Sequence, residues 1–374
     1  MNNEPWDQDH VLPPQLAKDL SSLRESIHTN ELLRAKLRKQ LLTEIAEAAG
    51  DRPRSPDPDN QRKQLWKLGP AVTAGVVLLG ILAYNLSAGP GESQVKNVDV
   101  IQQRQLLTLN ADSSTMPSPS VSSDMRFMAY ERNNTIWIHG LSSGSSQELL
   151  SPPSGGSYRD PSFAPDGSMI AISVRAQDRA TIATVSLRTR ELRALTFPPP
   201  GFADIQPAYS RDGNYLAFIR TKLQADGKSH EDGELWVMKT DGSEAEKVID
   251  HALEPAWSPD GKQLTFSRSY GTGPNSKRHI MTVIRNGTGE EKLAEGRMPA
   301  WSQNGQYIAY VSPKSEIWVM DVSGSGNTRL SMVSINTETD ARPVWSGNGN
   351  SIFFVRRVEP SGALNIQQLD LMYK

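Results

Sequence analysis

Few residues of the 374-residue chain are spaced for chemistry. The run Gly140-Leu141-Ser142-Ser143-Gly144 has the letters G-x-S-x-G of a hydrolase nucleophile elbow. Such an elbow needs a parallel strand before it and a helix after it, so that the sharp turn exposes the serine. Here the run is polar and lies between two strand-like segments, so a hairpin turn is expected and Ser142 is not assigned as a nucleophile. The histidines, His10, His28, His139, His230, His251 and His279, are scattered, with no H-E-x-x-H spacing. Cysteine is absent, which removes thiol nucleophiles, disulfides and thiolate zinc sites. Asp124, Asp166, Asp212 and Asp260 recur at one point of a repeat, and a ring of carboxylates around a metal is one reading of them. The counterparts Asn304 and Asn348 share only an acceptor oxygen with Asp, which favours a role for each in its own turn. No catalytic, cofactor-binding or metal-ligating residue is therefore expected, and the chain reads as a non-enzyme.

These turn residues belong to a phrase that returns along the second part of the chain. It begins at Pro119, Pro161, Pro207, Pro255, Pro299 and Pro343, at separations of 42, 46, 48, 44 and 44 residues. An aromatic follows two residues later in five of the repeats: Phe163, Tyr209, Trp257, Trp301 and Trp345. These rings are expected to pack between repeats, where their area counts most. Asp-Gly or Asn-Gly then marks a tight turn, because these residues tolerate positive φ. An apolar strand comes next, such as Tyr215 to Phe218 or Tyr307 to Tyr310, and then a third, such as Glu234 to Met238. A period of forty-odd residues with several short strands per unit is the pattern of propeller blades. The first repeat departs from it, with Val121 at the aromatic position and Met125 in place of Gly, so its turn is expected to be altered.

The phrase P-x-W-S-P-D-G, followed by an apolar strand and then I-W-V-M-D, resembles the TolB-like family of β-propellers, a WD-repeat-like group. The resemblance implies a six-bladed propeller over residues 98–374. The last repeat lacks a fourth strand, while Gln103 to Leu109 looks like the fourth strands elsewhere. Residues 98–110 are thus expected to complete blade six, which leaves no open sheet edge there. The hairpins at Thr221–Gly233 and Tyr270–Lys277 are lengthened and polar, and are expected on one face of the ring.

Ahead of the repeats, Leu68 to Leu86 contains no charged residue over nineteen positions. As a helix this stretch is about 28 Å long, the thickness of a bilayer core. Arg62, Lys63 and Lys67 precede it, while Glu92 and Lys96 are the first charges beyond it. That asymmetry predicts a retained single-pass anchor, with the N-terminus cytoplasmic and everything after about residue 87 outside the cytoplasm. Residues 87–97 read as an extracytoplasmic linker, and 51–67 as a flexible basic one. Within 1–50, the leucines and isoleucines of residues 12–49 recur every three or four positions, as in two amphipathic helices. Asn30 is placed to cap the second of them. Asn30 to Ala49 is similar to the juxtamembrane segment of membrane-bound bacterial anti-sigma factors. The resemblance implies a cytoplasmic, sigma factor-like partner for 12–49, although no zinc-binding His/Cys motif accompanies it.

The fold class expected is therefore mainly β, a six-bladed propeller preceded by one transmembrane helix and a short helical segment. The formal net charge of -2 gives no electrostatic ground for a nucleic-acid partner. Three functions remain open: an extracytoplasmic module binding protein, peptide or glycan and signalling inward; a cell-envelope scaffold; and a propeller hydrolase or lyase.

Overall fold

The computed structural model describes residues 98–109, 116–176, 178–223, 232–271, 276–334 and 337–373. The predicted span at 68–86, the helices at 12–49 and the linkers 51–67 and 87–97 lie outside these residues. Among the described residues all regular structure is β, and no helix is long and apolar enough to cross a membrane.

Strand formation follows the repeat. In each unit an x-Pro pair, an aromatic or Val, and a tight turn lead into a nearly continuous apolar strand, buried on both faces as a central strand should be. Ile170, Ala171 and Ile172 are fully buried in this way, as are Leu216 to Ile219. Strand β1 (Val98–Leu109) comes first. The first repeat then contributes β2 (Ser120–Val121), β3 (Phe127–Arg132), β4 (Thr135–Gly140) and β5 (Ser146–Leu150). The second contributes β6 (Ser157–Phe163), β7 (Met169–Arg175), β8 (Ala180–Ser186) and β9 (Leu192–Ala194). Strands β10 (Phe202–Tyr209), β11 (Tyr215–Lys222) and β12 (Gly233–Lys239) follow. Next is β13 (Glu246–Trp257), a long strand shared by two sheets. Its first part pairs with β12, and its last part, from Leu253, pairs with β14 (Gln263–Tyr270). Strands β15 (Lys277–Ile284) and β16 (Glu291–Glu295) complete the fourth sheet. The fifth holds β17 (Arg297–Trp301), β18 (Tyr307–Val311), β19 (Ile317–Asp321) and β20 (Thr328–Arg329). The last repeat adds β21 (Glu338–Trp345), β22 (Ser351–Val358) and β23 (Ala363–Tyr373). The fourth strand of this last sheet is β1, antiparallel to β23 from Val98↔Tyr373 to Leu109↔Leu364.

The core lies between sheets. One apolar cluster joins the first sheet to the second through Ile136, Tyr158 and Phe163. Others join the second to the third through Ile182 and Phe218, and the third to the fourth through Leu235 and Phe266. Ile280 and Tyr310 link the fourth to the fifth, and Val319 and Phe354 link the fifth to the sixth. A further cluster packs Phe353, Val355 and Leu109 against Met128 and Tyr130, setting the sixth sheet on the first.

The turn at Met125 differs from expectation. Met125 takes φ 61°, the conformation of Gly167 (71°), Gly213 (74°) and Gly261 (69°), and its N–H donates to Ser122 O at 2.9 Å. A left-handed conformation costs a non-glycine residue roughly 1–2 kcal/mol. Here the side chain packs at the seam with the sixth sheet, and its Sδ accepts the Gly347 N–H at 3.1 Å. Gly347 itself leaves no room for a side chain, since a Cβ would stand 2.1 Å from Ser123 O.

Strand β1 contributes buried Leu109 to the seam between last and first sheets and buried Val98 to the seam between fifth and sixth. Leu109→Ala should cost about 2–5 kcal/mol in urea denaturation. Deleting residues 98–110 should lower the melting temperature of the propeller as a whole, and an unchanged midpoint would show that β1 is dispensable.

Candidate functional site: the channel mouth

Each predicted turn residue is engaged in its own hairpin. Oδ1 of Asp124, Asp212, Asp260, Asn304 and Asn348 accepts the hydroxyl of the serine two residues earlier, at 2.6–2.7 Å. The same oxygen accepts a backbone N–H two residues later, at 3.0–3.1 Å. In the second repeat Ala164 replaces that serine, and Ser168 supplies both the hydroxyl and the N–H to Asp166. Hydrogen bonds from Ser122 and from the Arg126 N–H hold Asp124 below the usual carboxylate range, and those from Ser258 and Lys262 do the same for Asp260. The serines are buried, and each also accepts a backbone N–H across the turn, as Ser258 does from Gln263 at 3.0 Å.

The aromatics lie at the seams: Phe163, Tyr209, Trp257, Trp301 and Trp345 each pack with a different inter-sheet cluster. Trp257 Nε1 donates to Ala208 O, and Trp345 Nε1 donates to Ala300 O, both at 3.0 Å, tying neighbouring inner strands together. The corresponding acceptor for Trp301 is Ala256 O. The Thr265 hydroxyl takes that oxygen at 3.3 Å, and Trp301 Nε1 is buried without a partner. Burial raises the Tyr209 phenol to about 12.

The other sequence candidates are dispersed. Ser142 lies in the β4–β5 hairpin, where Gly144 at φ 69° closes the turn onto Gly140 O. His139 and His279 are buried within strands, and burial lowers the pKa of both imidazoles. His251 is on β13, while His10, His28 and His230 fall outside the described residues. Among the described residues no three His, Cys, Asp or Glu side chains gather as a metal ligand set.

A different set of residues converges. In five inner strands the ladder slips by one residue at the x-Pro pair, as between Arg159 and Ser162 or between Ala341 and Val344. Proline has no N–H to lose at such a bulge. The residue before it takes a left-handed conformation: Asp160 (51°), Gln206 (55°), Glu254 (57°), Met298 (55°) and Arg342 (56°). With Ser118, these residues and their prolines line an axial cavity of about 210 Å³. A second cavity of about 360 Å³ shares Asp160, Gln206, Glu254 and Arg342 and adds Glu131, Arg159, Arg175 and Arg278. It opens where the inner strands begin and the second strands end, so it faces away from the Asp/Asn turns. Leu223 of the first lengthened hairpin lines this rim, as does Arg278, just after the second. Asp232 ties the first hairpin to the end of β14 by accepting the Ser269 N–H (2.5 Å) and hydroxyl (2.9 Å).

The bulges turn N–H groups out of the ladder, and neighbouring repeats receive them. Glu131 accepts the N–H of Asp160 at 2.5 Å and that of Ser118 at 2.6 Å. Ser173 Oγ accepts Gln206 N–H at 3.2 Å, and Gln206 Oε1 accepts Glu254 N–H at 2.7 Å. Glu254 Oε2 accepts Met298 N–H at 2.8 Å, and Met298 Sδ accepts Arg342 N–H at 3.4 Å. Two residues before Arg342, the fully buried Asp340 is gripped by Arg356 at 2.7 and 2.8 Å; Asp204 and Arg220 repeat this pair ahead of Gln206. The inner strands are thereby held where their side chains meet the axis.

Acids and arginines are interleaved around the mouth. Burial, then the nearby Asp160 charge, pushes the Glu131 carboxyl from its ordinary 4.5 to about 7. Burial lowers the Arg297 guanidinium, with Glu254 opposing and Arg278 and Arg342 adding repulsion. The prolines at this mouth were singled out from sequence, but none of the residues that precede them was. A signal was present: the residue before each repeat proline is Ser, Asp, Gln, Glu, Met or Arg, unlike in every unit, while the phrase after it recurs.

No family model matches the sequence. Over 266 residues the chain is 24% identical to the Tol-Pal system protein TolB of Francisella tularensis, covering 65% of this chain and 54% of that one. It thus spans about half the length of the TolB relatives it matches. A TolB structure from Agrobacterium tumefaciens superposes with a TM-score of 0.50 at 17% identity, over 68% of this chain and 90% of that one. A gluconolactonase from Xanthomonas campestris gives 0.53 at 12% identity, over 73% and 91%. The described residues form a TolB-like β-propeller. The expectation that the chain is not an enzyme is overturned by the last likeness, because an enzyme is built on the same fold. That expectation rested on the absence of sequence motifs, and a propeller assembles its site from single residues of separate strands, which leave no contiguous motif.

Two outcomes follow from these contacts. Ser258→Ala should destabilise the propeller by about 1–3 kcal/mol in urea denaturation, because the Gln263 N–H and Asp260 each lose a partner. The raised Glu131 carboxyl keeps its proton in the folded state to higher pH than in the unfolded chain. Its contribution to stability is therefore present below about pH 4.5 and lost as pH rises through about 7. Denaturation at several pH values should show this decline in the parent protein and not in Glu131→Gln.

Proposed function

We propose that the TolB-like propeller is a recognition module that receives a protein segment at its channel mouth. The observation that carries this reading is the ring formed by Ser118, Asp160, Gln206, Glu254, Met298 and Arg342. These side chains differ in charge and size, and five of them are held in a conformation that costs energy. Such a ring reads the shape and charge of one ligand, whereas scaffolding requires no unlike groups at the axis. The module is carried outside the cytoplasm on the 68–86 span, and residues 12–49 engage a cytoplasmic protein of the sigma factor-like kind. The charge asymmetry about the span and the leucine periodicity of 12–49 support this arrangement. One alternative for the whole chain is an envelope scaffold whose helices only self-associate.

The test is photocrosslinking in intact cells from residue 206 of the full chain. A discrete protein adduct that disappears on Asp160→Ala supports recognition at the mouth. An adduct pattern indistinguishable from that of a probe on the opposite face, at position 262, rejects it. Protease added outside spheroplasts should digest the propeller and spare residues 1–67. Digestion of the N-terminal part instead would reverse the orientation.

One observation favours a second reading, a catalytic mouth. Glu131, pushed up to about 7 beside Asp160 on the cavity wall, is suited to proton transfer near neutral pH. A lactone panel is the direct assay: turnover that falls at least a hundredfold in Glu131→Gln supports it, and no turnover in the parent protein removes it.

A further inference from the structure

The charged groups at the mouth are unequally satisfied. Four arginines and three carboxylates line the larger cavity, and the carboxylates already have protein donors. Glu131 receives two backbone N–H groups. Asp160 receives the hydroxyls of Ser118 at 3.1 Å and Ser173 at 3.3 Å. Glu254 receives the Ser267 hydroxyl at 2.7 Å and the Met298 N–H, with Arg278 3.5 Å away. Arg342 is the opposite case. It lines both cavities, its Nε is buried without a hydrogen-bond partner, and among the described residues it forms no ion pair within 4.0 Å. Arg278 stands on the wall of the same cavity, and Arg297 lies just behind it in a neighbouring cleft that Arg278 also lines. A buried guanidinium donor without an acceptor is costly, and a carboxylate accepts from guanidinium forks in matching planar geometry.

We propose that the channel mouth contains a carboxylate-binding subsite, with Arg342 as its centre and Arg278 as its flank. The ligand is a monoanion: Glu131 and Asp160, which line the same cavity as Arg342, oppose a dianion such as phosphate. Next to its carboxylate the ligand carries hydrogen-bond donors, which meet those same acidic groups. A peptide chain end has this chemistry, and so does a free hydroxy acid. The subsite deepens the recognition reading above and rests on it for the peptide source. Its test uses small acids, so its failure is distinguishable from failure to find a protein partner.

The full chain in detergent is titrated by calorimetry at constant ionic strength with three probes: acetyl-triglycine, its C-terminal amide, and galactonate. Binding of acetyl-triglycine at least tenfold tighter than its amide supports the subsite with a peptide source. Galactonate binding alone supports it with a hydroxy-acid source. Arg342→Gln should weaken the bound acid at least tenfold, and Arg278→Gln about threefold. Gln occupies the equivalent place at position 206 with the same backbone conformation, so Arg342→Gln is compatible with the fold, and an unchanged thermal midpoint within a few degrees checks this. Lack of binding by either acid, equal affinity for acid and amide without galactonate binding, or full affinity in a folded Arg342→Gln overturns the proposal.

Discussion

The constraint on which the rest depends is that buried backbone N–H groups must find acceptors. Each x-Pro bulge removes one residue's N–H from the strand ladder next to the axis. The acceptors come from elsewhere in the ring: Glu131 for Asp160 and Ser118, Gln206 for Glu254, Glu254 for Met298. A local irregularity in one sheet is thus satisfied by a side chain of its neighbour. The bonds that align the blades are also the bonds that shape the mouth.

This dual use explains why the mouth combines rigidity with chemical variety. The same bulge is built in five of the repeats, but its acceptor is a carboxylate in one place, a hydroxyl in another and a thioether in a third. Buried ion pairs at Asp204–Arg220 and Asp340–Arg356 fix the approach of two inner strands. The cost of burying them is offset by bidentate geometry, and their role is one of position. Away from the axis the seams are filled by aromatics and aliphatics, and the turns are closed by Ser–Asp or Ser–Asn pairs. The seams and turns hold each sheet on its neighbour, while Gln206, Glu254 and Met298, before their prolines, both line the axis and accept the N–H of the next bulge.

The likeness to both TolB and a gluconolactonase fits this division. A propeller stabilised at its seams and turns accepts different groups at its axis, so one architecture hosts unrelated functions.

Much of the fold was legible in the residues themselves. The period of the six prolines, the turn residues after them and the alternation of apolar strands are local properties, and local sequence determines turns and strand faces. The role of Asp124 and Asn348 in their own turns also follows from chemistry within a few residues. The pairing of β1 with β23 was readable because an unpaired edge and a spare strand were both visible. The Met125 turn was misread, since its left-handed conformation depends on packing against Phe353 and Gly347, more than two hundred residues away. The mouth was invisible for the same reason. Ser118, Asp160, Gln206, Glu254, Met298 and Arg342 are far apart along the chain, and only the curvature of the assembled sheets carries them to one axis. Sequence alone determined the repeat and its turns, because those interactions span a few residues. Tertiary structure alone decided which charges are buried, which are satisfied and which face one another, because burial and charge separation are properties of the assembled ring.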